Sequence, residues 1–204
     1  MTVFADLGLD LAAAAARLYA KGWMEGTAGN LSVRLPGGDT ALITARGRGK
    51  GELTTDDVVE VRIADSAPVD PDGPRPSAET SIHTALYRLF PDCGAVVHAH
   101  PPYATVLSLR GGDRARFSGL EIIKGLGATD QVSIPVLPNW PDVPRIAADA
   151  TRLLGPHAPP ALLIAGHGAT TWAPTLAAAR HRMECVESLA RLTHLLTTSP
   201  WSAP

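Results

Sequence analysis

The stretch Cys93-Gly-Ala-Val-Val-His98-Ala-His100-Pro-Pro-Tyr-Ala-Thr-Val-Leu-Ser108 combines an apolar run with two histidines. The run lies between a Pro91-Asp92 break and the Pro101-Pro102 pair, which predicts a short buried strand. Because side chains alternate along a strand, His98 and His100 should point to the same face, about 6–7 Å apart. Two neutral imidazoles in this arrangement can bind one divalent metal ion, and a catalytic zinc site usually adds a third protein ligand.

A His-x-His pair is by itself a weak sign of a metal site, because two histidines at a strand end can also form hydrogen bonds within a turn. A candidate third ligand follows another predicted strand, over residues 161–165, which ends in Gly166-His167-Gly168. A histidine between glycines at a strand end has a side chain that is accessible at the edge of the sheet, where it could bind a ligand. His157, in a proline-rich loop, and His181 and His194, on the last predicted helix, are better explained as surface or packing residues.

The composition is that of an ordinary globular domain, with 45% hydrophobic and 19% charged residues in 204. The formal net charge of −2 gives no basis for binding nucleic acid or an anionic membrane surface. The chain has two cysteines, no basic N-terminal region and no apolar stretch near the roughly 20 residues that span a bilayer. We therefore expect a single domain over residues 1–204, located in the cytoplasm.

The hydrophobic patterns and turn residues also predict the framework around these motifs. The predicted elements are a first helix capped by Asp10 and closed at Gly22, a hairpin over residues 31–44, a strand over 58–63, a helix begun by Ser77, a strand over 132–137, a helix over 142–154 and a last helix begun at Pro174. The tail over residues 197–204 is expected to fray.

Three further features have both a chemical and a purely structural interpretation. The loop Arg46-Gly-Arg-Gly-Lys50-Gly51 could bind an anion such as phosphate through its backbone N–H groups and cations, or it could be a solvated basic loop. Glu79 falls in the first turn of a predicted helix, where the helix dipole favours a carboxylate without any catalytic role. Glu121 and Lys124 interrupt an apolar segment, so they form either an edge salt bridge or part of a site.

Five short motifs follow one another in the contexts just described: Gly26-Thr-Ala-Gly-Asn30-Leu-Ser, Leu42-Ile-Thr44, Ser77-Ala-Glu79, His98-Ala-His100 and Gly166-His167-Gly168. Each motif alone is weak, but their order along nearly the whole chain resembles the class II (zinc-dependent) aldolase family. The resemblance implies a three-layer α/β/α fold with a central, mainly antiparallel sheet. It also implies one zinc ion per subunit bound by His98, His100 and His167, and a ring-shaped homotetramer with its sites near subunit contacts.

Within the family, the chain is most similar to the branch that dehydrates methylthioribulose 1-phosphate in methionine salvage. The stretches that carry this likeness are Lys21-Gly-Trp23, Lys50-Gly51, Pro76-Ser-Ala-Glu-Thr80, Ala104-Thr-Val-Leu-Ser108 and especially Leu120-Glu-Ile-Ile-Lys-Gly125. This resemblance implies a hydro-lyase in which Glu121 is the acid/base catalyst. In the sugar-phosphate aldolases of the family the Ser-x-Glu glutamate transfers the proton, and that position is Glu79. A zinc-dependent sugar-phosphate aldolase or epimerase is therefore the alternative.

The resemblance also assigns residues to the substrate, which would be a small sugar phosphate. The expected phosphate-binding residues are Gly29, Asn30, Lys50 and Ser77, with Thr44 and Gly47 as weaker candidates. The family usually has a small hydroxyl residue where this chain has Arg46, so either Arg46 acts as a charged donor or the local geometry differs. A non-catalytic interaction domain, as in cytoskeletal relatives with this fold, is disfavoured because the three histidines and both glutamates are present.

Overall fold

The structure is a computed structural model that describes residues 3–198, and its centre is an open sheet. The strands of the described part are β1 (Asn30–Arg34), β2 (Thr40–Thr44), β3 (Val58–Arg62), β4 (Ala95–Ala99), β5 (Arg114–Ser118), β6 (Gln131–Leu137), β7 (Ala161–Ile164) and β8 (Gly168–Ala173). They lie in the order β3-β2-β1-β4-β8-β7-β6-β5. Neighbouring strands are antiparallel except β6 and β7, which are parallel. The expected central, mainly antiparallel sheet is confirmed.

Helices cover both faces of this sheet. They are α1 (Val3–Ala20), α2 (Thr80–Leu89), α3 (Pro102–Leu107), α4 (Val143–Leu153) and α5 (Leu176–Thr198), with short 3-10 helices at Thr55–Asp57 and Glu121–Leu126. One apolar core forms where α2 and α4 pack on the sheet, and the other forms under α1, α3 and α5. The three-layer α/β/α arrangement is therefore confirmed. Among residues 3–198, no helix is both long and apolar enough to cross a membrane.

β4 is buried on both faces, which explains its nearly continuous apolar sequence. Ala95, Val97 and Ala99 contribute to the core under α1, α3 and α5, whereas Val96 contributes to the core under α2 and α4. The alternation places His98 on the same face as Val96, toward α2. The first metal-ligand candidate is thus directed at the helix that carries Glu79.

The predicted starts of the first and last helices were wrong. α1 begins at Val3, so Asp10 is an exposed residue within this helix and not its cap. The reason is that the apolar positions Leu7, Leu11 and Leu18 form one continuous helical face that packs on the sheet. The last helix begins at Leu176 and not at Pro174. Of the tail predicted to fray, residues 197–198 belong to α5 and residues 199–204 lie outside the described part.

α2 also begins later than predicted, at Thr80, and Glu79 is its N-cap residue instead of a first-turn residue. Ser77, the predicted cap, lies upstream, and its Oγ accepts a hydrogen bond from the backbone N–H of Glu79 at 3.3 Å. The Glu79 side chain makes no capping hydrogen bond to α2. Its carboxylate is therefore free to face the end of the sheet.

Candidate metal centre and active site

Three histidines converge at the carboxyl end of β4, as the sequence predicted. His98 is in β4, His100 follows it, and His167 lies in the turn between β7 and β8. Each offers a ring nitrogen, and these three atoms all lie within 4.8 Å of one another. The Nε2 atoms of His98 and His100 are 3.0 Å apart. This donor set fits a single metal ion, because three converging imidazoles are a common ligand set for catalytic zinc.

A tight turn brings His167 to the other two rings. Its backbone N–H donates to the carbonyl oxygen of Ile164 at 3.0 Å, and β8 begins at the next residue, Gly168. A Cβ atom at Gly168 would lie only 2.3 Å from the carbonyl oxygen of Ala99. Only glycine therefore allows β8 to approach the end of β4 this closely, and that approach places His167 beside His100.

The neighbouring strand orients His98. Thr170 of β8 is paired with His98 of β4, and the Thr170 Oγ1 lies 2.9 Å from the His98 Nδ1. A hydrogen bond from Nδ1–H to this oxygen leaves the Nε2 lone pair directed at the centre. Thr170 was not predicted from the sequence, because its contact with His98 depends on the register of two strands about 70 residues apart in the chain.

Burial keeps the imidazoles of His98 and His100 in the neutral form that binds metal. Burial lowers the pKa of His98, although the nearby Glu79 carboxylate opposes this effect. Burial, followed by the proximity of His98 and His167, lowers the pKa of His100 to about 3. Near neutral pH both rings therefore present an uncharged nitrogen.

The carboxylate of Glu79 completes the centre. Its Oε2 lies 3.3 Å from the His98 Nε2, and its Oε1 lies 3.2 Å from the His167 Nε2. The amide nitrogen of Asn30 donates to Oε2 at 2.6 Å. Burial alone raises the pKa of Glu79, but His98, the hydrogen bond from Asn30 and His167 outweigh it and lower that pKa to about 2. Glu79 is thus an anionic, oriented carboxylate beside three potential metal ligands.

A cavity of about 350 Å³ opens at this centre. Its lining combines the candidate residues Gly29, Asn30, Lys50, Ser77, Glu79, His100 and His167 with Thr27, Ala28, Ala45, Arg46, Gly47, Ala78 and Val143. The structure therefore brings the four candidate substrate-binding residues to the same cavity as Glu79 and two of the histidines. Val143 was not singled out by the sequence, because it belongs to the start of a distant helix.

Some residues of the basic loop line the cavity, and others lie at the surface. Lys50 is buried, and its Nζ donates to the carbonyl oxygens of Thr27 at 2.9 Å and Arg48 at 2.7 Å. Burial lowers the pKa of Lys50, and the Glu79 carboxylate partly counteracts it. The Arg48 guanidinium instead forms an ion pair with Asp57 at 3.0 Å. The amino group of Lys50 is thus fixed at the cavity wall.

Glu121 does not line this cavity within one chain. It begins a 3-10 helix, its side chain is 84% exposed, and its Oε1 accepts a hydrogen bond from the Lys124 Nζ at 2.7 Å. The sequence left open whether Glu121 and Lys124 form a salt bridge or part of a site, and within one chain they form a salt bridge. A catalytic Glu121 would have to act in a site that a second copy of the chain completes.

The fold and the site agree with the comparison to known proteins. The sequence matches the family "Class II Aldolase and Adducin N-terminal domain" over residues 9–194. Because this match spans most of the chain, the protein belongs to the class II aldolase family. The crystal structure of L-fuculose-1-phosphate aldolase from Thermus thermophilus is similar at a TM-score of 0.75 and 30% identity, covering 94% of this chain and 96% of that one.

Two relatives carry the name methylthioribulose-1-phosphate dehydratase, one of them as part of a longer bifunctional protein. The chain is 54% identical over 200 residues to a probable bifunctional methylthioribose-1-phosphate isomerase/methylthioribulose-1-phosphate dehydratase of Nocardia farcinica, covering 94% of this chain but 36% of that longer protein. It is 44% identical over 188 residues to the methylthioribulose-1-phosphate dehydratase of Granulibacter bethesdensis, covering 88% of this chain and 86% of the relative. The match to the second relative extends over most of both sequences.

Proposed function

We propose that this protein is a zinc-dependent hydro-lyase that converts 5-methylthioribulose 1-phosphate to 2,3-diketo-5-methylthiopentyl 1-phosphate and water in methionine salvage. The observation that carries the proposal is the convergence of three histidines and one buried carboxylate in a polar cavity. It occurs in a chain that is 44% identical, over most of both sequences, to a dehydratase of this name. The single domain, the cytoplasmic location and the homotetramer expected from the sequence belong to the same proposal.

Substrate binding is assigned to residues that line the cavity together with His100 and His167. Lys50 supplies a fixed positive charge, and Ser77 and Asn30 supply hydrogen-bonding groups for the phosphate. Gly29 has a left-handed backbone at φ +74°, and a Cβ there would meet the Met24 side chain and a backbone carbonyl oxygen at 2.9–3.0 Å. A side chain is thus sterically excluded at Gly29, which leaves its backbone open to a ligand.

His98, His100 and His167 would hold the metal ion, and a zinc ion there would supply Lewis-acid polarisation of the substrate C2 carbonyl. Iron, cobalt or manganese are alternatives that a three-histidine set also accepts. Metal analysis of the purified protein, with activity measured after each metal is restored, distinguishes among them. His98 and His100 contribute neutral imidazoles, and the hydrogen bond with Thr170 fixes the direction of the His98 ring.

The reaction needs a base at C3 and an acid at C4. A carboxylate takes the proton from C3, the C4–O bond breaks as its hydroxyl gains a proton and leaves as water, and the resulting enol becomes the second ketone. We assign the main acid/base role to Glu121 and a second acid/base or hydrogen-bonding role to Glu79. Because Glu121 is exposed and does not line the cavity of its own chain, this assignment requires a second copy of the chain at the site, as in a homotetramer with sites near the subunit contacts.

A sugar-phosphate aldolase or epimerase is the second candidate. The position of Glu79 in the cavity favours it, because that carboxylate is the acid/base group in such aldolases and needs no second subunit to reach the site. The similarity to the Thermus thermophilus aldolase agrees with this alternative. The two candidate functions differ in which glutamate the reaction depends on.

The deciding experiment is an assay of the zinc-loaded protein on 5-methylthioribulose 1-phosphate and, separately, on L-fuculose 1-phosphate. Wild type, Glu121→Gln, Glu79→Gln and the control Glu52→Gln, an exposed glutamate away from the cavity, would be compared. Formation of the diketone that collapses in Glu121→Gln supports the dehydratase. Release of dihydroxyacetone phosphate from fuculose 1-phosphate, lost only in Glu79→Gln, would instead establish the aldolase.

A further inference from the structure

Polar side chains connect β1 to α2 at matching intervals. Every second residue of a strand points to the same face, about 6.6 Å apart, and every fourth residue of a helix shares one face, about 6 Å apart. The two spacings nearly coincide, so a strand and a helix that run side by side can pair step by step. The paired sets here are Asn30, Ser32 and Arg34 on β1, and Glu79, His83 and Tyr87 on α2 and its N-cap.

Two of these steps are hydrogen bonds between buried side chains. The Asn30 amide donates to the Glu79 carboxylate at 2.6 Å. Two residues further along β1, the Ser32 hydroxyl lies 2.7 Å from the His83 Nδ1 and 2.7 Å from the Tyr87 hydroxyl. The serine therefore bridges two successive turns of the helix.

The third step ties the carboxyl-terminal half of α2 to the end of β1. The Arg34 guanidinium donates to the backbone carbonyl oxygen of Tyr87 and lies 5.1 Å from the centre of its ring. We refer to the contacts of Ser32 and Arg34 with His83 and Tyr87 as the β1–α2 ladder. It continues directly from the Asn30–Glu79 contact at the metal centre.

The ladder lies in a largely apolar layer between the sheet and α2. Ser32, His83 and Tyr87 are at most 2% exposed, and none of them lines the cavity. Burying such groups costs free energy unless they are hydrogen-bonded, and apolar residues would fill the same space without that cost. Apolar contacts, however, are non-directional, whereas a hydrogen bond fixes which residue faces which. A set of polar pairs here determines the position of α2 along β1.

The position of α2 along β1 in turn sets the location of the Glu79 carboxylate. We propose that Ser32, His83 and Tyr87 are positioning residues that lock α2 in register on β1 and so hold the Glu79 carboxylate against the three histidines. The inference rests on the proposed function in giving Glu79 a part in turnover. The ladder acts on Glu79 through the backbone of α2, since Glu79 and His83 are one helical turn apart.

The first test removes one hydroxyl at a time. Ser32→Ala and Tyr87→Phe should each lower kcat about tenfold, as removal of groups that orient metal-site residues does, with KM and bound metal unchanged. The matched control is Ser81→Ala: Ser81 is on the same helix, and within the described part of the chain its buried hydroxyl has no hydrogen-bond partner. This control should keep wild-type kcat. His83→Asn, whose amide can replace Nδ1, should retain more activity than His83→Leu.

A second test asks whether the ladder acts through Glu79. In a Glu79→Gln background, adding Ser32→Ala should cause no further loss of kcat, because residues that act as a unit are non-additive. A further tenfold loss in the double variant would overturn the proposal. So would single variants that keep kcat within twofold of wild type, or that lose it only in proportion to lost metal or lost folded protein.

A third measurement needs no substrate. Hydrogen exchange in the first turns of α2 should become faster in Ser32→Ala and stay unchanged in Ser81→Ala. If the wild type fails to turn over 5-methylthioribulose 1-phosphate, the proposed function fails while this exchange still tests the ladder. Equal exchange in Ser32→Ala and wild type would overturn the positioning role.

Discussion

At the scale of single residues, Glu79 and Glu121 each lie in a place that their position in the sequence does not suggest. Glu79 stands at a helix start, yet its carboxylate faces His98 and His167 and caps nothing. Glu121 belongs to the motif that most suggested catalysis, yet within one chain it pairs with Lys124 on the surface. Such inversions occur because a residue's function depends on the direction of its side chain, which sequence position alone does not specify.

His83 should make the folded state sensitive to acid. Burial lowers its pKa to about 3, and in the unfolded chain the pKa is about 6.5. The unfolded state thus binds this proton first, so the stability that neutral His83 contributes is complete above pH 6.5 and is lost toward pH 3. The maximal slope for one proton is about 1.4 kcal/mol per pH unit.

Urea unfolding of the metal-free protein at pH 7.5 and pH 5 measures this effect. His83→Asn should show a smaller difference in unfolding free energy between the two pH values than wild type. His98 and His100, whose pKa values are also lowered, are present in both proteins and serve as an internal control. An identical difference in wild type and variant would contradict the prediction.

Cys93 should be unreactive in the native protein. Burial raises the pKa of its thiol to about 12, so almost none of it is thiolate at pH 8, and only the thiolate attacks alkylating reagents. In a Cys185→Ser variant, which leaves Cys93 as the remaining cysteine, iodoacetamide should label the unfolded chain but not the folded one. Rapid labelling under native conditions would show that this layer opens readily.

At the scale of elements, the centre is produced by the way β4 meets its two neighbours. β1 brings Asn30 opposite His98, and β8 brings Thr170 opposite His98 from the other side. The His98 ring is thus flanked by residues from two strands that are far apart in the chain. Any displacement of either strand would alter the surroundings of the metal ligand.

Gly94 tests how tightly this part of the sheet is packed. A Cβ at this position would lie 2.1 Å from the carbonyl oxygen of Pro174, and the Gly94 N–H donates to the carbonyl oxygen of Ala173 at 2.9 Å. Gly94→Ala should therefore lower the unfolding free energy by about 1–3 kcal/mol, the usual cost of overpacking. Gly155→Ala is the matched control, because nothing lies within 4 Å of its added Cβ and its φ is not positive. Equal stabilities of the two variants would refute the tight approach.

At the scale of the whole molecule, metal binding should be coupled to folding. A metal ion that binds the folded state alone stabilises it by mass action, by about 2.7 kcal/mol at a free concentration of 100 times its Kd. Zinc should therefore raise the melting temperature of the metal-free wild type and not that of His167→Ala. His157→Ala, which removes an exposed loop histidine, should respond like wild type. An equal response of His167→Ala would place the bound zinc elsewhere.

Assembly can be tested through complementation between inactive subunits. If Glu121 acts in a neighbouring subunit's site, each site combines Glu121 from one chain with His98 from another. The variants Glu121→Gln and His98→Ala then each lack a different one of these two groups. Co-assembled mixtures of the two should then regain dehydratase activity, because some sites combine an intact Glu121 with intact ligands. Separately assembled samples mixed afterwards provide the control. Mixed assemblies that stay inactive would exclude action of Glu121 across subunits.

Much of the fold and the ligand set followed from local patterns. Period-two alternation predicted that His98 and His100 share a face, and glycines around His167 predicted its exposure at a strand end. The sequence did not reveal β8, because its residues Gly168–Ala173 mix small, hydroxyl and aromatic side chains without an apolar run or a clear alternation. It also did not reveal the six-residue helix α3 that follows the two prolines.

The sequence by itself determined most strands and helices, the family and the identity of three metal-ligand candidates, because these depend on periodicity and short motifs. Tertiary structure alone decided that Glu79 enters the centre, that Thr170 orients His98, and that the β1–α2 ladder exists. It also decided that Glu121 lies outside the cavity of its own chain. The physical reason is that these contacts join residues about 50 to 70 positions apart, through a sheet order in which β4 lies between β1 and β8.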